Sequence, residues 1–485
     1  MQSKILDKES VVYYWIFILL SIAAIVTAWA SEIYVLFVVP IAIIIGVITF
    51  IDFKKIFYFL LFLIPCSVEY QVTPSLGTDL PTEPLIVGIM LAFIVYISLH
   101  PKKIDFNFIK NPITIFILIQ FLWSIICSIH SINGIVSTKY VLAKMWYLTT
   151  FLFATSIFIK DIKDIKLFFW CIFIPLSILV MVTLVRYYPM HFAFEDVNKT
   201  MVPYFRNKVN YGTTLTIFIP FIILAITWQK SGTWTKKILI LSVFLFLAGI
   251  YFSYTRSCIL ALLVCVVAFF AIRWKMIKLS ILVSLMAVFG FVSYMVYQNE
   301  YMDHAPIYEK TIQHDKYEDH LAATVSLEDA SSMERVYMWI GGTFMFLKHP
   351  IIGNGPNTFY PNYKHYTVHS FETYLSDNDE KLTVHNYFLL TLIEQGIVGL
   401  VLFFITIFTF LAFVQKYYHA TDDPSYKNII MACAMSFVGI MVNISLSDLL
   451  EVDKIGSIYY MSIAIAINVF IAIDKKQKES FTLSE

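Results

Sequence analysis

Apolar residues run through this chain in unbroken stretches, without the alternating or 3.6-residue stripes of a half-buried strand or helix. A helix needs about 20 apolar residues to cross the hydrocarbon of a bilayer, so each stretch predicts a span. Fourteen stretches can be placed, at about 11–31, 34–51, 55–68, 84–99, 112–129, 143–159, 167–186, 211–228, 238–255, 257–272, 279–298, 386–413, 428–446 and 458–473. The third is short and contains Pro65, which leaves it open to a re-entrant course, so the expected count is 12 to 14. Lys4 and Lys8 precede the first stretch as in a signal peptide. That stretch ends at Ala28-Trp29-Ala30-Ser31-Glu32 without release into a soluble domain, and it reads as the first span. The expected fold is an all-α, polytopic membrane helix bundle.

Composition agrees with this pattern and excludes other classes. Only 14% of the 485 residues are charged and 59% are hydrophobic, against a charged share of roughly 25% in soluble domains. Soluble enzymes, disordered tails and disulfide scaffolds are thereby set aside. A net charge of +1 leaves no basic footprint for nucleic acid. The six cysteines lie in or beside apolar runs and read as small buried hydrophobes, not as a disulfide framework.

Charge becomes informative by position. With a cytoplasmic N-terminus, that terminus and every second short connection are basic, from Lys4/Lys8 through Lys54/Lys55 to Lys475/Lys476/Lys478, and together they hold 21 of the 35 Lys and Arg residues. That alternation predicts both termini inside. Two polar segments, 187–210 and 299–385, fall on the outer face. The chain thus divides into a bundle over 1–298, a large outer cap loop over 299–385, and C-terminal spans with a short cytoplasmic tail over 386–485. The cap has 13 Asp and Glu against 6 Lys and Arg, and seven of the eleven histidines. Its Ser331-Ser332-Met333-Glu334 matches a capping box. An amphipathic helix should follow, with Val336, Ile340, Thr343 and Leu347 on one stripe, ending at Lys348-His349-Pro350 on the membrane surface.

The outer face also holds the residues suited to chemistry. Arg256, in Tyr254-Thr255-Arg256-Ser257, sits in a tight hairpin between two spans. It either snorkels to headgroups or offers its planar fork to an anion. Arg206 and Lys208, with Asn210 beyond them, lie just before a span and could share that anion; an interfacial cluster is the plainer reading, and Arg186 is a weaker candidate. His385 stands where the acidic cap re-enters the membrane, and an imidazole there could take a proton from a sugar hydroxyl. Asn386 follows it, Glu394 lies deeper in the same helix where an ionisable group needs a partner, and Gly396 and Gly399 allow close helix approach. Arg335 is on the capped helix. The glycines of Pro350-Ile351-Ile352-Gly353-Asn354-Gly355-Pro356 read as a turn, since no G-K-[ST] follows. His365 and His369 are four apart but have no third ligand at motif spacing, so no metal is expected.

In order, Arg206…Asn210, Tyr254-Thr255-Arg256-Ser257, Arg335…Trp339, Pro350…Gly353-Asn354-Gly355…Phe359 and His385-Asn386…Glu394-Gln395-Gly396…Gly399-Leu400 resemble the signature of the O-antigen ligase and O-antigen polymerase superfamily, over about 200–413. The resemblance implies a glycosyltransferase of the bacterial inner membrane, acting on the periplasmic face without metal, cofactor or nucleotide sugar. It implies an undecaprenyl-diphosphate-linked glycan as donor and a lipid A-core or a further glycan as acceptor. His385 would be the base, and Arg256, Arg206, Arg335 and Lys208 would hold the diphosphate, supported by Asn386, Glu394 and Asn210. The single cap favours a ligase over a polymerase; a transferase to protein hydroxyls also fits. A carrier of lipid-linked glycan remains the alternative without chemistry, although no internal repeat of the transporter kind is evident.

Overall fold

The computed structural model describes residues 52–73, 76–304, 330–373, 376–377 and 383–482. The stretches at 11–31 and 34–51 lie outside the described residues. Helix α1 (Phe53–Leu63) leads through a short 3-10 turn into a hairpin of β1 (Val68–Thr73) and β2 (Leu76–Leu80), with Val68 opposite Leu80. Then come α2 (Thr82–Leu99), α3 (Pro112–Ile129), α4 (Gly134–Tyr147, carried on by a π-helical stretch to Phe158) and α5 (Ile162–Tyr187). They are followed by α6 (Lys208–Thr227), α7 (Trp234–Phe252), α8 (Arg256–Arg273), α9 (Ile277–Val296) and the cap helix α10 (Ala330–Lys348). The chain closes with α11 (Tyr387–Ala420), α12 (Pro424–Ile444) and α13 (Asp453–Thr482).

Among the described residues, eleven helices are long and apolar enough to cross a membrane, and each coincides with one of the expected stretches. The short third stretch also joins the two ends of the bundle. Lys54, just before it, pairs with Asp164 at 2.7 Å, and Ser67, near its end, gives its carbonyl to Lys454 Nζ at 2.8 Å. Protein-buried side chains such as Phe57, Leu60 and Leu61 line its way. It is therefore a short crossing element, and the alternation of ends is kept.

The bundle is built around α6, α12 and α13, which are mostly buried within the protein, while α9 is exposed along its length. Phe410 of α11 packs on Phe437 of α12 with ring centres 4.3 Å apart. At one end gather the basic connections, where Lys475 reaches Asp105 at 3.6 Å and Gln477 donates to Ala420 O at 2.8 Å. The opposite end is a polar rim that collects the hairpin, the segments 130–133, 188–207 and 253–255, the cap, and the connection 445–452. All six cysteines are free.

The cap helix ends where expected, at Lys348, but its face and start differ from the sequence reading. Met333, Tyr337, Met338 and Met345 are the buried positions, packed with Phe359, Tyr363 and Phe371 in a small core of their own. The stripe expected to be its apolar face is turned outward at its end, with Leu347 61% exposed. Glu334 does not close a capping box. The helix already includes Ala330, and the carboxylate instead accepts from the hydroxyls of Thr373 (2.9 Å) and Ser376 (3.0 Å), tying the cap loop to the helix.

Candidate functional site

Three membrane-length helices, α6, α8 and α11, begin side by side at the polar rim. Thr255, at the start of α8, donates its hydroxyl to Lys208 O at 3.2 Å. Ser257 donates to Asn443 Oδ1 at 2.9 Å, and Ser447 donates to the carbonyl of the same Asn443 at 2.7 Å. The carbonyl of Ser447 in turn accepts from the amide of Tyr387 at 3.2 Å. The segment Asn443–Ser447 thus ties the three starts together. Each start leaves amide N–H groups without intrahelical partners and carries roughly half a positive charge, so the rim favours an anion.

On one side of this segment stand Lys208, Asn210 and Arg256. Arg256 is the first residue of α8 and is half-buried. Lys208 is the first of α6, and its ammonium lies 4.0 Å from the centre of the Phe194 ring. Asn207 caps α6 by accepting from the amides of Val209 and Asn210, both at 3.0 Å. Asn210 is buried, and its Oδ1 has no hydrogen-bond partner among the described residues. Arg206 is exposed, and its charge acts on Asp79 of the hairpin. Arg186 donates to Val202 O at 2.7 Å, so it fastens the 188–207 segment.

On the other side stands His385. Its backbone is left-handed, with φ at +51°, a conformation that costs a non-glycine residue about 1–3 kcal/mol and persists only where surroundings impose it. The surroundings are visible. Trp339 Nε1 of α10 donates to Val384 O at 2.8 Å, the hydroxyl of Thr383 donates to the Asp448 carboxylate, and Asn386 caps α11 by accepting from Leu389 N at 3.0 Å. Burial, together with the positive charge of Arg335, holds the imidazole down to about 4, and the negative charge of Asp448 works in the opposite direction. His385 is therefore neutral at pH 7, able to accept a proton, and within the opposing fields of a cation and an anion.

Glu394 belongs to the framework around these groups. Its oxygens accept from the amides of Asn357 (2.7 Å) and Phe359 (3.1 Å), closing the Pro350–Phe359 turn over α11. The turn fits because α11 breaks at Gly396, with φ at +69°. A Cβ there would lie 2.0 Å from Ile351 O. Gly396 therefore admits a turn, not the neighbouring helix expected from sequence, whereas Gly399 does face Trp123 of α3. His365 and His369 start or sit in separate short 3-10 turns and share no helix face. Among the described residues no three His, Cys, Asp or Glu side chains are grouped to hold a metal.

Sequence reasoning missed the connection between α12 and α13. Asp448 faces His385 there, and Glu451 bonds Tyr387 three residues further on. The available signal was four ionisable residues, Asp448, Glu451, Asp453 and Lys454, crowded between two spans.

Residues 241–404 match the family model described as O-antigen ligase. That segment, about a third of the chain, is similar to the O-antigen ligase family. No curated protein matches the chain. The matched O-antigen ligase segment holds Arg256, Arg335, His385, Asn386 and Glu394, while Arg206, Lys208, Asn210 and Asp448 lie outside it. The apolar helices make this a multi-pass membrane protein, and the match supports a relation to the ligase- and polymerase-like membrane glycosyltransferases of the O-antigen ligase superfamily.

Proposed function

We propose that the protein transfers a glycan from undecaprenyl diphosphate to a hydroxyl of lipid A-core on the periplasmic side of the inner membrane. The observation that carries this reading is the convergence of three helix starts, bearing Lys208 and Arg256, on the Asn443–Ser447 segment, to which Tyr387, two residues past His385, is bonded and which Asp448 follows. Sidedness rests on the basic connections, which among the described residues gather at the opposite end.

Neutral His385 takes the proton of the acceptor hydroxyl as its oxygen attacks the anomeric carbon. The bond from that carbon to the phosphate oxygen breaks, and its electron pair leaves with undecaprenyl diphosphate. Arg256, Lys208 and Arg335 bind the growing negative charge, with Arg206 at the edge nearest the hairpin. Preorganised charges of this kind cost no reorganisation during reaction. A bound diphosphate also offsets the field of Arg335, which raises the basicity of His385 when the donor is in place. Asn210 orients the clamp, and Asn386 and Glu394 keep His385 and the turn over α11 in register. A single displacement inverts the anomeric centre.

The test is transfer in liposomes containing purified protein, lipid-linked glycan and lipid A-core. Glycan should appear on the core, and His385→Ala should lower kcat by about 10³-fold, within the range for a lost general base. A His385→Ala protein as fast as wild type removes the base assignment. Offering only more donor separates the acceptors: lengthened chains under that condition would identify a polymerase.

A further inference from the structure

We infer that Glu451, held by Lys144, is a positioning residue that fixes His385 through the hydroxyl of Tyr387. This rests on the reading of His385 as the base. Glu451 Oε1 accepts from three donors on two helices, Tyr387 OH at 2.7 Å, Lys144 Nζ at 2.9 Å and Tyr140 OH at 3.2 Å. Lys144 also lies 3.5 Å from the Tyr387 hydroxyl. Tyr387 is buried and stands two residues beyond His385, in the first turn of α11.

The backbone of His385 is left-handed, so something must keep it from relaxing. Hydrogen bonds to Val384 and Thr383 hold the residues before it. On the far side, the Asn386 side chain caps its own helix, and Tyr387 makes ties that leave it: its amide to Ser447 O and its hydroxyl to Glu451. Both partners lie on the same short connection as Asp448, which faces the imidazole. The Leu449–Glu451 turn therefore sets Asp448 and His385 relative to each other, and the ion pair with Lys144 anchors that turn to α4. Burial would push the Glu451 carboxyl up, but Lys144 and the tyrosine hydroxyls bring it below its usual value, which keeps it a charged acceptor. A carboxylate satisfied in this way holds its donors in one geometry.

Removing the charge of a buried pair risks unfolding, so Tyr387→Phe, which deletes one hydroxyl, is tested beside Glu451→Gln. The first readout needs no reaction. Full-length protein in liposomes is treated with diethyl pyrocarbonate and labelling at each histidine is read by mass spectrometry. Both variants should label His385 about ten times faster than wild type while exposed His365 is unchanged, as a loosened support predicts. The second readout is transfer: kcat should fall about tenfold in each variant with KM for the acceptor unchanged, since sub-ångström misplacement acts on the chemical step. The double variant should be no slower than Glu451→Gln alone, because both remove one link. Unchanged labelling of His385, or losses that multiply in the double variant, overturns the inference. Altered labelling in a protein whose wild type transfers nothing leaves the positioning intact and overturns the proposed reaction.

Discussion

Around the Asn443–Ser447 segment, Lys208 and Arg256 project from the first turns of α6 and α8, whereas His385 and Asp448 stand on connecting backbone held by side chains. The cation side uses ordinary helical geometry, and the residues beside it, Tyr211 and Ser257, are buried in the bundle. The His385 side keeps a left-handed residue in place with Trp339, Thr383, Asn386 and Tyr387. A charge clamp can be made from rigid elements without strain, because charge acts over several ångströms and tolerates small displacements. A base must meet one proton at one distance, and that demand is met here by strained backbone with many supports. The two sides should therefore fail differently, one through lost charge and the other through lost geometry.

The largest of the remaining effects is expected on the cation side. Arg256→Ala should lower kcat/KM by about 10²–10³-fold, the cost typical of losing a preorganised group that stabilises developing charge. Arg256→Lys should recover part of this, since it keeps the charge and loses the planar fork. Initial rates against donor concentration in liposomes measure both. A loss below about threefold in Arg256→Ala would move the clamp off α8.

These differences also explain what the sequence could tell. Spans were legible because an apolar run of about 20 residues has one physical reading, and the positions of Arg256 and His385 followed from where those runs stop, whereas Arg335 was placed only on the helix expected in the cap. The face of α10 was not, since Val336, Ile340 and Leu347 form as good a stripe as Met333, Tyr337 and Met345; only the packing of Phe359 and Tyr363 decides between them. The hairpin 68–80 and the pair Asp448 and Glu451 escaped because both lie in short polar connections, and the ties that place them, Thr82 to Asp453, Lys454 to Ser67, and Tyr140 and Tyr387 to Glu451, join residues distant in sequence. Glu394 illustrates the limit best. Its need for a partner was evident, but that the partners are the amides of Asn357 and Phe359 depends on the break of α11 at Gly396.

A middle-sized effect tests how the two sides communicate. Burial first, and the charge of Arg335 second, hold His385 down to about 4, so in wild type the imidazole is neutral at pH 7 and becomes protonated only as the pH falls through that value. Arg335→Gln removes a cation that disfavours imidazolium, so the folded pKa rises toward the usual 6.5 and protonation begins at higher pH. The acid limb of kcat/KM should move up, with about a tenfold loss at pH 7 from the weaker clamp. Asp448→Asn removes the anion that favours imidazolium, and its acid limb should move down. Limbs that shift together, or not at all, would uncouple Arg335 and Asp448 from His385.

The smallest effect isolates geometry from charge. Trp339→Phe keeps an aromatic ring on α10 and removes only the Nε1–H that bonds Val384 O at 2.8 Å, one residue before the left-handed backbone of His385. The change alters no charge at Lys208, Arg256 or Arg335, so KM for the donor and its dependence on salt should stay as in wild type. Losing one such bond is worth about 1 kcal/mol, which corresponds to a fall in kcat of about fivefold if the support acts on the reacting geometry. A rise in KM at constant kcat would place Trp339 with the clamp instead, and would mean that the two sides of the site are not built on separate principles.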